Sequence, residues 1–292
     1  MSVLLESPLP NRTYRGKVRD TYDLGDRMLI VATDRLSAFD LILPTGIPDK
    51  GNVLSQMSAW WFERTAGVVP NHFIRLADGT AADDLPFALP PELIGRTTIA
   101  RKAKRVDIEC IVRGYISGSA WAEYEQWGTV NGVRMEKGIQ ESEQLPEPIF
   151  TPTTKAEKDE PMTFSDVVQE VGPEAAQVLR LRSLAIYNFA AAYARERGII
   201  IADTKLEFGW LDNELIVIDE MLTPDCSRFW DVEQYKIGGA QPSFDKQYVR
   251  DWLTNSGWDK KPPVPELPQE VVEGTTARYR EAYKRLTGLE VR

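Results

Sequence analysis

The hydrophobic and polar positions of the chain follow two periods: a short one, typical of strands, that prevails in the first third, and a longer one, typical of helices. Residues 28–33 form an apolar, β-branched run behind a Gly-Asp turn, which predicts a buried strand. Residues 52–65 place Leu54, Met57 and Trp61 at helical spacing, which predicts an amphipathic helix. We therefore expect the chain to combine short strands with several longer helices.

The other predicted elements follow the same two periods. Strands are predicted at residues 12–18, 21–24, 97–102, 108–115, 199–208 and 215–219. Helices are predicted at residues 119–127, 175–197, 244–254 and 269–286. Residues 138–161 contain four prolines and many charges, so we expect a functional or lid-like loop there. This order of elements predicts a mixed α/β or α+β fold with two lobes.

Composition narrows the class of protein. The 292 residues carry a net charge of −9, and a content of 42% hydrophobic and 27% charged residues is typical of a globular chain. The acidic balance argues against nucleic acid as a partner, and no apolar run reaches the roughly 20 residues that span a bilayer. Two cysteines cannot form a disulfide framework, which favours a cytoplasmic protein. Small anionic substrates are compatible with the acidic balance if basic side chains cluster locally.

The single histidine excludes a zinc site built from several histidines. His72 lies in a turn-like Val-Pro-Asn-His-Phe segment, and we expect it to be a surface or half-buried residue without a catalytic partner. The chemistry of the chain must then come from carboxylates, lysines and arginines.

The most informative segment is the predicted strand near residues 199–209. Because side chains alternate along a strand, Asp203, Lys205 and Glu207 project from one face, while Leu206 and Phe208 project from the other. An apolar strand that presents an acid, a base and an acid in one direction is typical of a functional site. A half-exposed strand with ordinary surface charges explains the segment equally well when it is taken alone.

The next predicted strand ends in a second pair of carboxylates, Asp219 and Glu220. A two-residue turn at 212–213 would pair residue 206 with 219. A three-residue turn at 212–214 would instead set Glu207 beside Asp219. Two carboxylates so close need a cation between them, and Mg²⁺ prefers such oxygen ligands. We therefore predict the three-residue turn and a magnesium site.

Other segments carry candidate binding residues, although a turn, a cap or a structural ion pair explains each of them in isolation. Gly16 and Lys17 lie in a predicted hairpin that could cover nucleotide phosphates, without a Walker motif. Arg228 offers a bidentate fork for an anion next to Asp225 and Ser227. The remaining two segments are residues 34–40, which follow a buried strand, and residues 109–119, which end at a helix start.

Taken together, these segments resemble the phosphoribosylaminoimidazole-succinocarboxamide synthase (SAICAR synthetase) family of purine biosynthesis over nearly the whole chain. Residues 201–209 match its motif of two apolar residues followed by Asp-x-Lys-apolar-Glu-Phe-Gly. Residues 107–119 match its Pro-apolar-Glu-x-apolar-apolar-Arg motif and the Gly-Ser that follows, with Asp107 in place of Pro and Ser117 in place of Thr or Ala. The segments 16–20, 34–40 and 219–228 also follow in family order.

The resemblance implies an ATP-dependent ligase that joins L-aspartate to carboxyaminoimidazole ribonucleotide and releases ADP and phosphate. The implied fold is two-lobed and ATP-grasp-like. A β-rich lobe of residues 1–107 would cover the nucleotide, and an α/β lobe of residues 108–292 would hold magnesium and the substrates. The substrates ATP, the ribonucleotide and L-aspartate are thus the expected partners, and a homo-oligomer is compatible with the eight tryptophans.

The resemblance also implies a role for individual residues. The catalytic group is Asp203, Lys205, Glu207 and Asp219, and Mg²⁺ is held by Glu207 and Asp219. The nucleotide is bound by Arg15, Gly16, Lys17 and Lys102. The ribonucleotide is bound by Arg113, Ser119, Asp203, Lys205, Ser227 and Arg228. The site is bordered by Asp34, Arg35, Ser37, Asp40 and Lys155.

Two other functions are compatible with these residues. A small-molecule kinase would use the same glycine turn, lysine and carboxylates for γ-phosphoryl transfer, but Arg113 and Arg228 indicate a second anionic substrate. A non-catalytic nucleotide-binding regulator is disfavoured because Lys205, Glu207 and Asp219 are all present. Release of ADP that depends on aspartate distinguishes the ligase from the kinase.

Overall fold

The computed structural model describes residues 3–156 and 159–292. The strands in this part of the chain are β1 (Tyr14–Arg15), β2 (Arg19–Asp23), β3 (Arg27–Ala32), β4 (Ser37–Ala38), β5 (Leu41–Ile42), β6 (Phe73–Leu76), β7 (Thr97–Arg101), β8 (Lys104–Tyr115), β9 (Thr129–Val130), β10 (Val133–Arg134), β11 (Gln144–Phe150), β12 (Thr153–Thr154), β13 (Ile199–Leu211), β14 (Glu214–Ile218) and β15 (Ser227–Asp231). The helices are α1 (Lys50–Thr65), α2 (Ser119–Trp127), α3 (Phe164–Val171), α4 (Pro173–Arg195), α5 (Gln247–Asn255) and α6 (Gln269–Thr287). None of them is long and apolar enough to cross a bilayer.

The first of the two large sheets is formed by the N-terminal third of the chain. Its strand order is β1-β2-β3-β7-β6, with antiparallel pairing throughout. Leu29 and Val31 of β3 pack with Ile99 of β7 in a buried apolar cluster on one face of this sheet. Helix α1 packs against β3, β6 and β7, so the sheet is tied to the central core.

The second sheet has the order β11-β8-β13-β14, with β12 also paired to β8 and β15 to β13. Helix α4 covers one face, where Leu179 and Ile186 share a buried cluster with Leu206 and Phe208 of β13. The opposite face of β13 is left for its charged residues, as the alternation along this strand predicts.

The two sheets are joined at two places. Residues 102 and 103 alone connect β7 to β8, and the segment before β6 pairs with β14, since His72 N donates to Val217 O and Val217 N donates to Pro70 O. The predicted lobe boundary between residues 107 and 108 lies within β8, so the division into lobes stays a prediction.

The expectation of a functional or lid-like loop at residues 138–161 is wrong for its middle part, while Lys155 and Asp159 beyond it line a cavity between the two sheets and residues 157 and 158 lie outside the described residues. Residues 144–150 and 153–154 form β11 and β12, which pair with β8. Pro146 and Pro148 are tolerated because β11 lies at the edge of its sheet and its register is interrupted between Gln144 and Ile149, where no ladder donor is needed.

The predicted three-residue turn between β13 and β14 is also wrong. Leu211 pairs with Glu214, so the loop contains only Asp212 and Asn213, with φ of 49° and 65°. Two left-handed residues of these types form the tight turn that matches strand twist. The charge argument failed because Asp219 lies beyond the end of β14, where its own φ of 70° takes it out of the ladder.

This turn gives a stability prediction. We expect Asn213→Val to lower the free energy of unfolding by about 1–2 kcal/mol, because a β-branched residue is strained at a positive φ. Asn213→Gly should leave it unchanged or raise it, since glycine adopts this φ without strain. Urea unfolding monitored by circular dichroism measures both, and equal stability of the two variants would contradict the two-residue turn.

Candidate active site

A cavity of about 840 Å³ lies between the two sheets, and residues of both sheets line it. The first sheet contributes the β1–β2 turn with Gly16 and Lys17, as well as Arg19 at the start of β2. The second sheet contributes the charged face of β13 and the facing residues of β8. The polar side chains of β13 therefore point away from helix α4 and form one wall of the cavity.

Two lysines and two glutamates form the centre of the cavity. Lys205 Nζ donates to Glu109 Oε1 at 2.7 Å and to Glu207 Oε1 at 3.4 Å. Lys155 also forms ion pairs with Glu207 and Glu109. Burial opposes ionisation of Glu207, but the charges of Lys205 and Lys155 lower its pKa to about 2. Burial likewise opposes ionisation of Lys205, but Glu207 and Glu109 hold its pKa above its ordinary value, so the ammonium is a permanent charge.

A second carboxylate group faces this centre from the end of β14. Arg19 Nη2 donates to Asp219 Oδ2 at 2.6 Å, and Arg19 Nη1 lies 3.2 Å from Glu220 Oε1. Burial raises the pKa of Asp219 to about 6, with Arg19 opposing the shift and the charges of Glu207 and Glu220 adding to it. Negative charge is thus concentrated at Asp219 in excess of what Arg19 neutralises.

A cluster of two arginines marks another part of the cavity. Arg113 Nη1 donates to Asp203 Oδ2 at 3.0 Å, and Arg228 donates to the same oxygen. Arg113 Nη2 also donates to Ser119 Oγ at 3.2 Å, at the first residue of helix α2. Gly118 has a φ of 57°, and a Cβ there would lie 2.2 Å from Arg228 Nη2, so only glycine fits beneath this guanidinium.

Most of the predicted site residues line this cavity. They are Gly16, Lys17, Ser37, Asp40, Arg113, Ser119, Lys155, Asp203, Lys205, Glu207, Asp219, Ser227 and Arg228. Residues up to 200 positions apart in sequence are in contact here, as the pair Arg19–Asp219 shows.

Four predicted residues lie outside the cavity wall. Asp34 is fully buried and accepts hydrogen bonds from the backbone N–H groups of residues 4 and 51. Arg35 is also buried, where it pairs with Asp20 and donates to the carbonyls of residues 16 and 17. Arg15 is exposed on the edge strand β1, and Lys102 is exposed and paired with Asp23. Arg35 therefore supports the Gly16–Lys17 turn from behind, whereas Asp34 has no contact with this turn among its hydrogen bonds to residues 4, 51 and 96.

Several wall residues were not predicted from the sequence. Arg19, Glu109, Lys246 and Arg250 line the cavity, although only the first two belong to segments that the sequence motifs contain. His72 was expected to be a surface or half-buried residue, and this expectation is wrong: the side chain is only 1% exposed and lines the cavity. Burial lowers the pKa of His72 to about 4, so the imidazole is neutral near pH 7. No local sequence signal distinguishes it from a turn histidine.

Comparison with known proteins identifies the family. A relative from Thermodesulfovibrio yellowstonii named phosphoribosylaminoimidazole-succinocarboxamide synthase is 51% identical over 278 residues, which cover 94% of each chain. The solved SAICAR synthase of Saccharomyces cerevisiae, complexed with SAICAR, is 43% identical with a TM-score of 0.89 and covers 99% of this chain and 98% of its own. A solved SAICAR synthetase in complex with ADP shares the fold at 23% identity, with a TM-score of 0.70 over 95% of this chain and 98% of its own.

These likenesses confirm the predicted mixed α/β fold, and the ATP-grasp-like description is consistent with it. The family pattern described as SAICAR synthetase matches residues 12–265, which include the strand motif of β13, the arginine motif of β8 and the β1–β2 turn. The family resemblance drawn from the sequence motifs is therefore confirmed, and the chain belongs to the SAICAR synthetase family.

Proposed function

We propose that this chain joins the amine of L-aspartate to the carboxylate of carboxyaminoimidazole ribonucleotide, with conversion of ATP to ADP and phosphate. Membership of the SAICAR synthetase family supports this ligase activity. The observation that carries the proposal is that one cavity holds both a carboxylate–lysine centre at Glu207 and a separate two-arginine cluster at Arg113 and Arg228. A reaction that brings ATP together with an anionic ribonucleotide needs both parts.

ATP would lie against the first sheet. Gly16 and Lys17 cover the cavity from the β1–β2 turn, where backbone N–H groups and an ammonium can contact phosphates. Met28, Ile30 and Ala103 line an apolar part of the same wall, which suits an adenine ring. This placement gives the N-terminal lobe its proposed nucleotide-covering role.

Magnesium fits the acidic residues at the other wall. Glu207 and Asp219 supply hard oxygen ligands, and the raised pKa of Asp219 reflects burial beside two further carboxylates, a charge excess that a dication would neutralise. Mg²⁺ in such sites takes one or two carboxylates and completes its shell with phosphate oxygens and water. Bound there, the ion would neutralise the charge of the ATP phosphates.

The proposed reaction proceeds in two steps. The ribonucleotide carboxylate oxygen attacks the γ-phosphorus, ADP leaves, and an acyl phosphate forms. The aspartate amine then attacks the acyl carbon, loses a proton and expels phosphate, which leaves the amide. Lys205 stays charged because Glu109 and Glu207 surround it, so we assign it to stabilising negative charge on the transferring group.

The arginine cluster would bind the ribonucleotide. Arg113 and Arg228 share Asp203, which leaves their remaining N–H groups to donate to a phosphate, with Ser119 at the start of α2 beside them. Ser227 lies on the same wall. We place the aspartate near Ser37, Asp40 and Lys155, which line the cavity, because Lys155 pairs with Glu207 of the carboxylate centre.

This assignment gives a prediction for Arg228. We expect Arg228→Ala to raise the KM for the ribonucleotide about 10- to 100-fold and to change the KM for ATP less than threefold, because charge-assisted hydrogen bonds contribute about 1.5–3 kcal/mol each. Initial rates with each substrate varied in turn measure both constants. An equal rise in the two KM values would place Arg228 at the nucleotide instead.

The experiment that tests the function measures ADP release with Mg-ATP and carboxyaminoimidazole ribonucleotide, with and without L-aspartate, while the succinocarboxamide product is followed by absorbance. We expect ADP and product to form at equal rates and only with aspartate. ADP release that is indifferent to aspartate would support the kinase alternative. We place the reaction in the cytoplasm, because Cys110 and Cys226 are separate, free and buried.

A further inference from the structure

Tyr279 and Lys50 are buried residues that the proposed function leaves without a role, although both are bonded to a carboxylate of the cavity wall. This carboxylate is Asp225, which lies in the turn before β15 and lines the cavity. Lys50 Nζ donates to Asp225 Oδ2 at 2.7 Å, and Tyr279 Oη donates to Asp225 Oδ1 at 2.8 Å. Each oxygen of Asp225 is therefore held from behind by a side chain that lies outside the cavity wall.

Both donors are deeply buried, since Lys50 is 0% and Tyr279 1% exposed. A buried ion pair adds little net stability compared with apolar residues in the same space, because both charges lose their hydration. Tyr187 shows an arrangement without a charge: its buried hydroxyl donates to the carbonyl of Ile201 at 2.7 Å. Stability alone therefore does not explain the arrangement around Asp225, which points to a role at the cavity.

The two donors belong to the two helices that pack behind this part of the wall. Lys50 is the first residue of α1, and Tyr279 lies in the middle of α6. Arg280, the residue after Tyr279, pairs with Asp49 directly before α1. The carboxylate of Asp225 is thus fixed relative to the ends of two helices that meet behind the turn.

The turn that carries Asp225 leads directly to residues that we assign to the ribonucleotide. Ser227 and Arg228 follow Asp225 by two and three positions. Ser227 Oγ lies 2.8 Å from Thr204 Oγ1, and Arg228 donates to Asp203. A displacement of the turn would therefore move groups that are expected to contact the substrate.

The charge of Asp225 makes its position important. Burial opposes its ionisation, but the charges of Lys50 and Lys246 and the hydrogen bonds from Lys50 and Tyr279 hold its pKa far below the ordinary value. An ionised carboxylate released from its donors could pair with Arg228, and it would then compete with an anionic substrate for this guanidinium.

We propose that Tyr279 is a positioning residue for the ribonucleotide: together with Lys50 it holds the Asp225 carboxylate at the back of the wall, so that Arg228 stays available to the substrate. The inference rests on the proposed function, in which Arg228 binds an anionic group of the ribonucleotide. Tyr279 acts through Asp225 and does not touch the substrate itself. The binding of ATP, which we place against the first sheet, should not depend on it.

The test is Tyr279→Phe, which removes the hydroxyl and keeps the aromatic ring in the core. We expect the KM for the ribonucleotide to rise about three- to tenfold, with the KM values for ATP and L-aspartate within about twofold of the wild type. A tyrosine with a structural role alone would lower the melting temperature and leave all three constants unchanged. In an Asp225→Asn background, Tyr279→Phe should cause no further rise, because the charge that it holds is then absent.

Tyr283→Phe is the matched control, because Tyr283 lies one turn further along α6, is 4% exposed and lies outside the cavity wall. It should leave all three KM values unchanged. Thermal melting checks that each variant folds. If Tyr279→Phe does not fold, Lys50→Arg, which keeps the charge and moves the donor, is judged by the same measurements.

Three results would overturn the positioning role. They are an unchanged KM for the ribonucleotide in a folded variant, a rise that ATP or aspartate shares, and an additional rise in the Asp225→Asn background. A wild-type chain that forms no product with aspartate would instead overturn the proposed function itself.

Discussion

Asp219→Asn should lower the rate of product formation by a factor on the order of 10³ or more. The change removes one of the two carboxylates proposed to hold Mg²⁺ while it keeps the size and shape of the side chain. Its neighbour Arg19 retains Glu220 as a partner. The rate with saturating substrates, measured over a range of Mg²⁺ concentrations, gives the size of the loss.

The stability of this variant should move in the opposite direction. Because the pKa of Asp219 is raised from 3.8 to about 6, the folded chain binds this proton more tightly than the unfolded chain. The contribution of Asp219 to the free energy of unfolding therefore falls as the pH rises from 3.8 to about 6. Above this range the buried carboxylate is ionised and lowers stability. A neutral asparagine avoids this loss, so Asp219→Asn should melt at the wild-type temperature or above it at pH 7 in buffer without magnesium.

Asp212→Asn is the matched control, because it makes the same change in the exposed turn between β13 and β14. It should keep the wild-type rate. If Asp219→Asn instead retained more than about a tenth of the activity, or melted far below the wild type, Asp219 would be a structural residue.

Lys50→Met should be the most destabilising of the variants considered. Lys50 Nζ lies 2.7 Å from Asp225 Oδ2, and their side chains are 0% and 4% exposed. Although burial opposes ionisation of Asp225, Lys50 and Lys246 hold its pKa far below its ordinary value. Removing Lys50 leaves a buried carboxylate with a lost partner, so we expect a loss of about 3–5 kcal/mol in the free energy of unfolding, measured by urea denaturation.

Two further variants show whether the charge is the cause. Lys50→Met combined with Asp225→Asn should recover part of the loss, because the uncompensated charge is then gone. Lys284→Met removes a lysine from the exposed pair with Glu290 and should cause no measurable change. A loss below about 1 kcal/mol in Lys50→Met would show that the buried pair contributes no more than a surface pair.

The charged face of β13 could be predicted from the sequence because it depends on the alternation of neighbouring residues. Alternation alone placed Asp203, Lys205 and Glu207 on one face of β13, and all three line the cavity. Helix α2 begins and ends where its sequence predicts, and α1 and α6 differ from prediction by one or two residues at an end. The turn at residues 212–213 follows from local turn chemistry, which a longer-range charge argument wrongly overrode.

Contacts between distant segments could not be predicted in this way. Arg113 meets Asp203 across 90 positions, and Arg19 meets Asp219 across 200. Arg35 matched the family motif as well as Lys17 did, yet only the structure shows that Arg35 is buried behind the turn that Lys17 presents to the cavity. His72 lies beneath the cavity only because the segment before β6 pairs with β14.

The sequence by itself determined the types of element, the charged face of β13 and the family, because periodicity and motif spacing are properties of neighbouring residues. Only the tertiary structure decided which charges neutralise one another, since ion pairing depends on distance in space and on burial. Lys246 and Arg250 illustrate the difference. In the sequence they are two ordinary charges of an amphipathic helix, and only the structure shows that both line the cavity and that Lys246 lies close enough to Asp225 to lower its pKa.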